Sequence, residues 1–320
     1  MFQLLYIFSF DMSKFILKSF YFLLFFGVFY TFGVFVLGSF LPTELRPNLK
    51  HSNGMYGTTY NMLRDAEATK NVDILVIGAS DAYRGYDPRI FKEYGIDVFN
   101  MGSSSQTPKQ TELLLDKYLT DINPKLILYE VSPVCMTLDG VESTLDLMVN
   151  EFDQKLTAKL VFNNPDILLF NSFLYSVIKN NLTPGFKKSK VFNSPEESYI
   201  SRGFVETKMK FNKLMKIDSL VWKPSGAQLK KFDKVLAIAQ KHGKKVLLVN
   251  ANSITDRFFS NSKSIDSFFN SKTDFIDMNA NITLNDTTDY FDNSHLNSKG
   301  LRSMNSFFIP KILIEKYKLK

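Results

Sequence analysis

Cysteine and histidine, the residues that most often bind metals or form cross-links, are scarce in this chain. It has one cysteine, Cys135, and three histidines among 320 residues. A single cysteine excludes an internal disulfide and a cysteine-rich metal site, and three histidines leave little for a histidine-based cluster. The sequence therefore predicts no metal centre, and its avoidance of cysteine agrees with an exported domain.

Arginine-rich and base-stacking motifs are also lacking, although the chain is basic. Its formal net charge is +7, which favours anionic surfaces such as lipid head groups or acidic glycans. The lysines are scattered rather than clustered, so we predict no nucleic-acid partner. A solvated, slightly basic surface is the alternative interpretation.

Charge is absent from residues 19–41, which read SFYFLLFFGVFYTFGVFVLGSFL. As a helix, this stretch is long enough to cross a hydrocarbon layer about 30 Å thick. We therefore predict a transmembrane helix over residues 19–41. A cleaved signal peptide is the alternative, because Val36 and Gly38 precede Ser39 in a weak cleavage pattern.

The charges beside this span indicate its orientation. They are Lys14 and Lys18 before the span, and Glu44 and Arg46 after it. The second pair cancels, and positive charge favours the cytoplasmic side. We therefore predict that residues 1–18 are cytoplasmic and that everything after the span is extracytoplasmic, either periplasmic or at the cell surface. The polar segment 42–70, which is broken by proline and glycine, is predicted to be a stalk that includes a helix at 61–69.

From Val72 onward, short β-branched runs alternate with helical patterns. The predicted strands are 74–78, 98–101, 126–131, 245–249 and 275–278, and the predicted helices include 89–94, 109–121, 227–242 and 298–308. After the last of these helices, Pro310 is expected to end or kink the chain before 311–317 continues. The alternation is typical of an α/β domain, here residues 71–320, with a parallel sheet covered by helices on both faces.

Residues 139–222 depart from this alternation. Two helices are predicted there, at 145–160 and 166–178, and the segment 180–203 is rich in loop-forming residues. We predict a mainly helical insertion over the ends of the strands. It acts either as a lid or acceptor-binding element, or as a helical cap that completes the core.

Ser80 follows the first predicted strand, two residues after Gly78. A sharp turn there holds the hydroxyl at the carboxyl edge of the sheet, near the start of the next helix, where a nucleophile can attack a substrate. A serine in this position also commonly serves as a helix cap, and both interpretations stay open. Asp81 and Arg84 are neighbouring candidates for substrate contact or for a local ion pair.

His295 is selected by elimination among the three histidines. His51 lies beside the membrane span, and His242 ends a helix, where positive charge suits the helix dipole. His295 lies in a polar loop three residues after Asp292. That carboxylate can accept the second N–H of the imidazole and fix its tautomer. The alternative is a capping cluster that closes a turn before the last helix.

A serine after the first strand, joined with Asp-x-x-His before the last helix, resembles the SGNH (GDSL-like) hydrolase superfamily. The resemblance rests on GAS at 78–80, MGSSSQ at 101–106 and DNSHLN at 292–297. It implies a flavodoxin-like, three-layer α/β fold. The membrane span and overall layout are similar to the extracytoplasmic branch that includes DltD and the alginate acetylation proteins.

The resemblance also implies roles for individual residues. Ser80 would be the nucleophile, and His295, together with Asp292, would act as its base. Gly102, after the second strand, would supply a backbone donor to the oxyanion, beside the backbone N–H of Ser80.

The block after the third strand departs from the family pattern. The chain reads YEVSP, with Glu130 and Ser132 where the family has glycine and asparagine. Ser132 could replace the asparagine donor of the oxyanion site through its hydroxyl, or Asn252 could approach from the later strand. The aspartate of the usual GDS triplet is also absent, with Ala79 in its place.

The activity that the resemblance implies is serine-dependent transfer or removal of an acyl group, expected to be acetyl, on a cell-envelope or secreted polysaccharide. No metal or organic cofactor is required. A multi-pass membrane acyltransferase is the expected partner, because it would deliver acyl groups across the membrane. The alternative is a catalytically silent SGNH-like module that binds polysaccharide or scaffolds an envelope assembly complex.

Overall fold

The computed structural model describes residues 12–51, 57–151, 153–183, 192–209 and 216–319. Its first element is helix α1, Met12–Phe40, which is 29 residues long. By length and composition α1 is able to cross a membrane, and the rest of the protein buries little of its surface. This agrees with the span predicted for residues 19–41. Of the segment predicted to be cytoplasmic, residues 1–11 lie outside the described residues.

A five-stranded parallel sheet forms the centre of the domain. The strands in chain order are β1 (Ile74–Ile77), β2 (Val98–Asn100), β3 (Leu126–Glu130), β4 (Glu197–Ser201), β5 (Phe204–Thr207), β6 (Lys245–Asn250) and β7 (Phe275–Asp277). The sheet has the order β2-β1-β3-β6-β7 and all its pairings are parallel. Without the β4–β5 hairpin, this is the flavodoxin-like strand order 2-1-3-4-5. The predicted fold class and the five predicted strands are confirmed.

Helices cover this sheet on both sides. They are α2 (Gly57–Ala68), α3 (Ser80–Gly85), α4 (Pro88–Glu93), α5 (Pro108–Ile122), α6 (Val141–Asn150), α7 (Gln154–Asn163), α8 (Ile167–Leu182), α9 (Gly226–Lys241), α10 (Ser262–Asn270), α11 (Met278–Asn281) and α12 (Ser298–Phe308). A π-helical segment, Ile309–Lys316, continues α12. Pro310 lacks the N–H that an α-helix requires. The chain therefore forms π-helical turns, which are wider than α-helical turns, at the place where the sequence predicts an end or a kink.

Successive residues of each strand pack into two different cores. In β1, Leu75 and Ile77 lie in the core that includes α5 and α9, whereas Ile74 and Val76 lie in the core that includes α4 and α12. All four side chains are fully buried. Since both faces of the sheet are covered, the strands read as continuous apolar runs, which makes them recognisable in the sequence.

Within the predicted stalk, 42–70, the structure forms helix α2, which overlaps the helix predicted at 61–69. Met62, Leu63 and Ala66 are buried in the main core. On the polar side of this helix, Asp65 accepts a hydrogen bond of 2.6 Å from the hydroxyl of Tyr199. The helix carries apolar residues at a spacing that buries one face, so α2 belongs to the domain rather than to a linker.

In the described part of the insertion at 139–222 there are three α-helices, α6, α7 and α8, rather than the predicted two. The predicted helix 145–160 is divided between α6 and α7. Asp153 causes the division because its carboxylate accepts hydrogen bonds from the backbone N–H groups of Lys155 and Leu156, at 2.9 and 3.2 Å. Aspartate is a favoured N-cap residue, and a cap begins a new helix.

The hairpin of β4 and β5 also differs from the prediction, which places loops at 180–203. Arg202 and Gly203 form its turn with φ of 56° and 75°, as a two-residue hairpin turn requires. The backbone N–H of Asn100 in β2 donates to the carbonyl of Arg202 at 2.8 Å. Arg-Gly is a weaker turn signal than Asn-Gly, so the sequence pattern does not predict this hairpin. The predicted loop residues 184–191 lie outside the described residues.

Candidate active site

The turn after β1 presents Ser80 at the carboxyl edge of the sheet. Gly78 has φ of 140°, and a Cβ on it would come within 2.7 Å of the carbonyl oxygen of Glu130. Glycine is therefore required where β1 turns against β3. Ser80 is the first residue of α3 and is half-buried. The side chain of Ser80 is not used as a helix cap, so the capping interpretation of this serine is not realised.

Ser80, His295 and Asp292 form one continuous chain of hydrogen bonds. The Oγ atom of Ser80 lies 2.7 Å from Nε2 of His295. On the other side of the ring, Nδ1 of His295 lies 2.8 Å from Oδ2 and 3.0 Å from Oδ1 of Asp292. The tertiary structure thus brings together residues that are far apart in the sequence, in the order that nucleophile, base and orienting carboxylate require.

The loop that carries Asp292 and His295 is closed on itself. The backbone N–H of Phe291 donates to the carbonyl of His295 at 3.1 Å. The Phe291 ring stacks on the imidazole, with centroids 5.3 Å apart and planes 5° apart. Asn297 then caps α12 by accepting from the backbone N–H groups of Lys299 and Gly300. Ring stacking and loop closure restrict the rotation of the imidazole, so it stays directed at Ser80.

The sequence analysis left two interpretations of Asp292 open, contact with the imidazole of His295 and closure of a turn, and the structure contains both contacts. Its Oδ1 atom accepts from the backbone N–H groups of Ser294 and His295, each at 2.7 Å, so it closes the turn as well as contacting the imidazole. Burial by itself raises the pKa of Asp292, but the hydrogen bonds from His295 and from these backbone groups outweigh it and lower the pKa. An ionised carboxylate only accepts hydrogen bonds, so it holds the proton of a neutral imidazole on Nδ1 and leaves Nε2 to accept from Ser80.

Gly102 lies against the turn that carries Ser80. A Cβ on Gly102 would come within 2.9 Å of the carbonyl oxygen of Ala79 and within 3.1 Å of that of Gly78. Only glycine permits this approach between two backbones. The strand end is fixed by a hydrogen bond of 2.7 Å from the N–H of Met101 to the carbonyl of Val76. Gly102 therefore occupies the position from which a backbone donor could reach an oxyanion at Ser80.

The two side chains predicted as further oxyanion donors are engaged elsewhere. The Ser132 hydroxyl forms a hydrogen bond with Cys135. Among the described residues, no hydrogen bond joins Ser132 to Ser80 or to Gly102. The Asn252 amide donates to the carbonyls of Met278 and Ile282 at 3.0 and 3.2 Å. Asn252 is thus a structural residue, and the role of Ser132 stays a prediction.

Behind Ser80 lies a group of acidic side chains that the sequence analysis did not assemble. Glu130, at the end of β3, is 2% exposed, and burial followed by the nearby Asp81 and Asp256 raises its pKa well above the usual value. Burial and Asp81 likewise raise the pKa of Asp256 to about 8. The sequence shows Glu130 as a departure from the family pattern, but only the fold places β1, β3 and the segment after β6 side by side.

Arg84 forms an ion pair, although not with its neighbour Asp81. Its Nε atom lies 2.9 Å from Oε1 of Glu197 in β4, and its guanidinium lies 6.0 Å from the centre of the Phe291 ring. The hairpin that was not predicted is therefore fastened to the helix that begins with Ser80. This ion pair joins the insertion to the active-site edge of the sheet.

Asp146 of α6 fastens the insertion to the loop that follows Gly102. Its Oδ2 atom accepts from the hydroxyl of Thr59 at 2.7 Å and from the backbone N–H of Ser104 at 3.1 Å. Asp146 is fully buried, and burial raises its pKa to about 7 despite these hydrogen bonds. The protonated form is therefore the one that the folded state favours below neutral pH.

We expect the stability of the protein to fall as the pH rises through 7, and Asp146→Asn to reduce this fall. The carboxyl of Asp146 binds its proton more tightly in the folded state, so its contribution is full below the unfolded pKa near 3.8 and is lost as the pH rises through the folded value of about 7. The whole loss is at most about 4 kcal/mol, of which at most about 3 kcal/mol falls between pH 5 and pH 8. Urea unfolding in detergent at pH 5 and pH 8 measures it.

The matched control for this measurement is Asp116→Asn, at an exposed position of α5. It should keep the pH dependence of the wild-type protein. An Asp146→Asn protein whose unfolding midpoint changes with pH as much as that of the wild type would contradict the assignment. Asp256, whose pKa is raised to about 8, and Glu130, whose pKa is raised well above its usual value, contribute to the part of the dependence that remains.

The fold and this geometry define an α/β protein with a flavodoxin-like sheet and a Ser-His-Asp arrangement at its carboxyl edge. No protein-family model matches the chain, and no curated protein matches it.

Solved structures similar to the chain include two from Bacteroides species. One is a candidate acylhydrolase from Bacteroides fragilis, with 11% identity and a TM-score of 0.39, over 81% of this chain and 95% of that one. Another is a GDSL-like lipase from Bacteroides thetaiotaomicron, with 12% identity and a TM-score of 0.39, over 79% of this chain and 97% of that one. Similarity at this level implies no activity or substrate for this chain.

Proposed function

We propose that this protein catalyses serine-dependent acyl transfer, with Ser80 as nucleophile, His295 as general base and Asp292 as the carboxylate that orients it. One observation carries the proposal: Oγ of Ser80 lies 2.7 Å from Nε2 of His295, while Asp292 lies 2.8 Å from the other ring nitrogen. A serine hydroxyl is a weak nucleophile until a base in hydrogen-bond contact accepts its proton. This arrangement supplies that base in the required tautomer.

In the proposed reaction, Nε2 of His295 takes the proton of Ser80 as Oγ attacks the acyl carbonyl. The backbone N–H groups of Ser80 and Gly102 would stabilise the negative charge that develops on the carbonyl oxygen. The ester C–O bond then breaks, His295 returns its proton to the leaving alcohol, and the acyl group stays on Ser80. Water or a sugar hydroxyl next attacks this acyl-enzyme and frees the serine.

The finer proposal is that the acyl group is acetyl and that the acceptor or donor is a cell-envelope or secreted polysaccharide outside the membrane. It is supported by helix α1, by the weak preference of a basic protein for acidic glycans, and by the resemblance carried by residues 78–80, 101–106 and 292–297. In this proposal α1 is the membrane anchor, and a multi-pass acyltransferase supplies the acyl groups.

The experiment uses the full chain in detergent with a fluorescent fluorophosphonate and an aryl acetate. We expect covalent labelling at Ser80, located by peptide mass, together with release of the aryl alcohol. Adding acetylated and unacetylated oligosaccharides and weighing the products then separates transfer from hydrolysis. A sugar that gains the mass of an acetyl group indicates transfer, whereas free acetate alone indicates an esterase.

A catalytically silent module that binds polysaccharide is the second candidate function. It is favoured by Glu130 and Ser132, which stand where the family has glycine and asparagine, because the third oxyanion donor is then missing. Wild-type protein that takes no fluorophosphonate label and turns over no aryl acetate, while still binding an envelope polysaccharide, would establish this function and overturn the catalytic one.

A further inference from the structure

Helix α8 of the insertion packs against the second half of α1. The hydroxyl of Tyr30 donates to Oδ1 of Asn171. Tyr175 packs with Val34 in a small apolar cluster, and its ring lies so close to Gly38 that a Cβ there would clash with it. The contacts between the two helices are therefore specific and fall on α1 residues 30–38.

These contacts lie at the depth of the predicted membrane span. Farther along α8, Lys179 lies 5.6 Å from the ring of Phe35, and Ile178 lines an apolar recess with Thr31 and Phe32. At about 1.5 Å per residue, α1 residues 30–38 lie roughly 5 to 16 Å below the end of the span at Leu41. Wherever α1 spans a bilayer, α8 must lie beside it within the outer leaflet.

The surface that α8 turns away from the domain is apolar. Ile167 is 52% exposed, Phe170 is 42% exposed and Leu182 is 65% exposed. With Leu174 and Ile178 these residues recur at intervals of three and four, which places them on one face of the helix. Phe162, near the end of α7, the helix that precedes α8, is also exposed. We call these six residues the α8 stripe.

The length and charge of α8 suit a helix that lies in a membrane surface rather than across it. Its 16 residues read ILLFNSFLYSVIKNNL, with Lys179 as the single charge. A helix needs about 20 apolar residues to cross a bilayer, whereas an interfacial helix buries its apolar face about 5–10 Å into the head-group and acyl boundary. Lys179, near the end of α8, can direct its ammonium group to the head groups while its stem stays among apolar side chains.

We infer that the α8 stripe is buried in the outer leaflet of the bilayer, so that the domain touches the membrane at a second place besides α1. The inference rests on the proposed anchoring by α1. Acyl chains of the lipids cover the stripe, which adjoins the apolar surface of α1 at Leu174 and Ile178. Because α6 of the same insertion is fastened to the loop after Gly102 through Asp146, the membrane contact holds the active site at a set height above the bilayer.

The test places a fluorescent label at single cysteines of the full chain in phosphatidylcholine and phosphatidylglycerol nanodiscs. Cys135 is the only native cysteine, so Cys135→Ser gives the background for Phe170→Cys and Leu182→Cys. Labels at both sites should lose as much fluorescence to nitroxide-bearing lipids as a label at Phe25→Cys in α1. Arg302→Cys, at an exposed position of α12, which packs in the core that includes α4, is the matched control and should lose none.

Three results would overturn the inference. Unquenched labels at 170 and 182 beside a quenched label at 25 would refute the α8 contact and leave the anchor standing. An unquenched label at 25 would refute the anchor and the contact together. The third result concerns the emission of the label at 170. If this emission is blue-shifted, is not quenched by nitroxide-bearing lipids and changes with the number of chains per disc, a second copy of the chain covers the stripe.

Discussion

Replacing Ser80 with alanine is expected to lower the turnover of an aryl acetate by roughly 10⁴- to 10⁶-fold, because a triad without its nucleophile retains only binding and oxyanion stabilisation. Oγ of Ser80 is the atom that lies 2.7 Å from Nε2 of His295, and no other group within the described residues hydrogen-bonds that nitrogen. Initial rates with the full chain in detergent measure the effect. The same protein should take no fluorophosphonate label.

The stability of the Ser80→Ala protein should stay close to that of the wild type, since Ser80 is half-buried and does not cap its helix. Thermal unfolding separates a loss of chemistry from a loss of fold. Ser267→Ala, at an exposed position of α10, is the matched control and should keep wild-type turnover. A Ser80→Ala protein with undiminished turnover would refute the catalytic assignment.

Gly102→Ala is expected to lower kcat by about 10²- to 10³-fold, the usual cost of losing one oxyanion donor. The new methyl group would meet the carbonyls of Ala79 and Gly78 at 2.9 and 3.1 Å and the Cβ of Ala82 at 3.0 Å. Both carbonyls are backbone atoms of the Ser80 turn, so the turn and the strand end must separate. The backbone N–H of Gly102 then moves away from the position of the oxyanion, and we expect a stability loss of about 1–3 kcal/mol as well.

The control for Gly102→Ala is Gly226→Ala, at the first residue of α9. A Cβ at Gly226 meets nothing within 4 Å, and alanine favours a helix more than glycine does. Turnover should therefore be unchanged and stability equal or slightly higher. Wild-type kcat in the Gly102→Ala protein would show that this backbone plays no part in the reaction, whatever the change in stability.

The sequence predicted the sheet well because its strands are buried on both faces. Runs such as ILVI in β1 and LILYE in β3 have no polar alternation; the first is followed by the turn that carries Ser80, and the second ends with Glu130. A parallel sheet with helical crossovers leaves few possible strand orders. The local pattern therefore sufficed for the five strands and for the fold class.

The insertion and helix α2 were predicted less well because their structures depend on contacts with distant elements. The turn at Arg202 and Gly203 is held by Asn100 in β2, and α2 is held by contacts with β4 and α6. Neither contact leaves a periodic signal in the local sequence. The sequence pattern of an amphipathic helix such as α2 does not show which element its apolar face packs against.

By itself, the sequence predicted the candidate nucleophile, base and carboxylate and the apolar stretch that is long enough to span a membrane. Gly-x-Ser after a buried strand, Asp-x-x-His before the last helix and an uncharged stretch at 19–41 are local patterns with local causes. Only the tertiary structure decided that Ser80 and His295 meet at hydrogen-bond distance, that Asn252 turns away, and that Glu130 lies buried with Asp81 and Asp256. The tertiary structure also decided that the apolar face of α8 is exposed. Burial and proximity depend on which elements pack together, and the packing depends on the core of the whole domain.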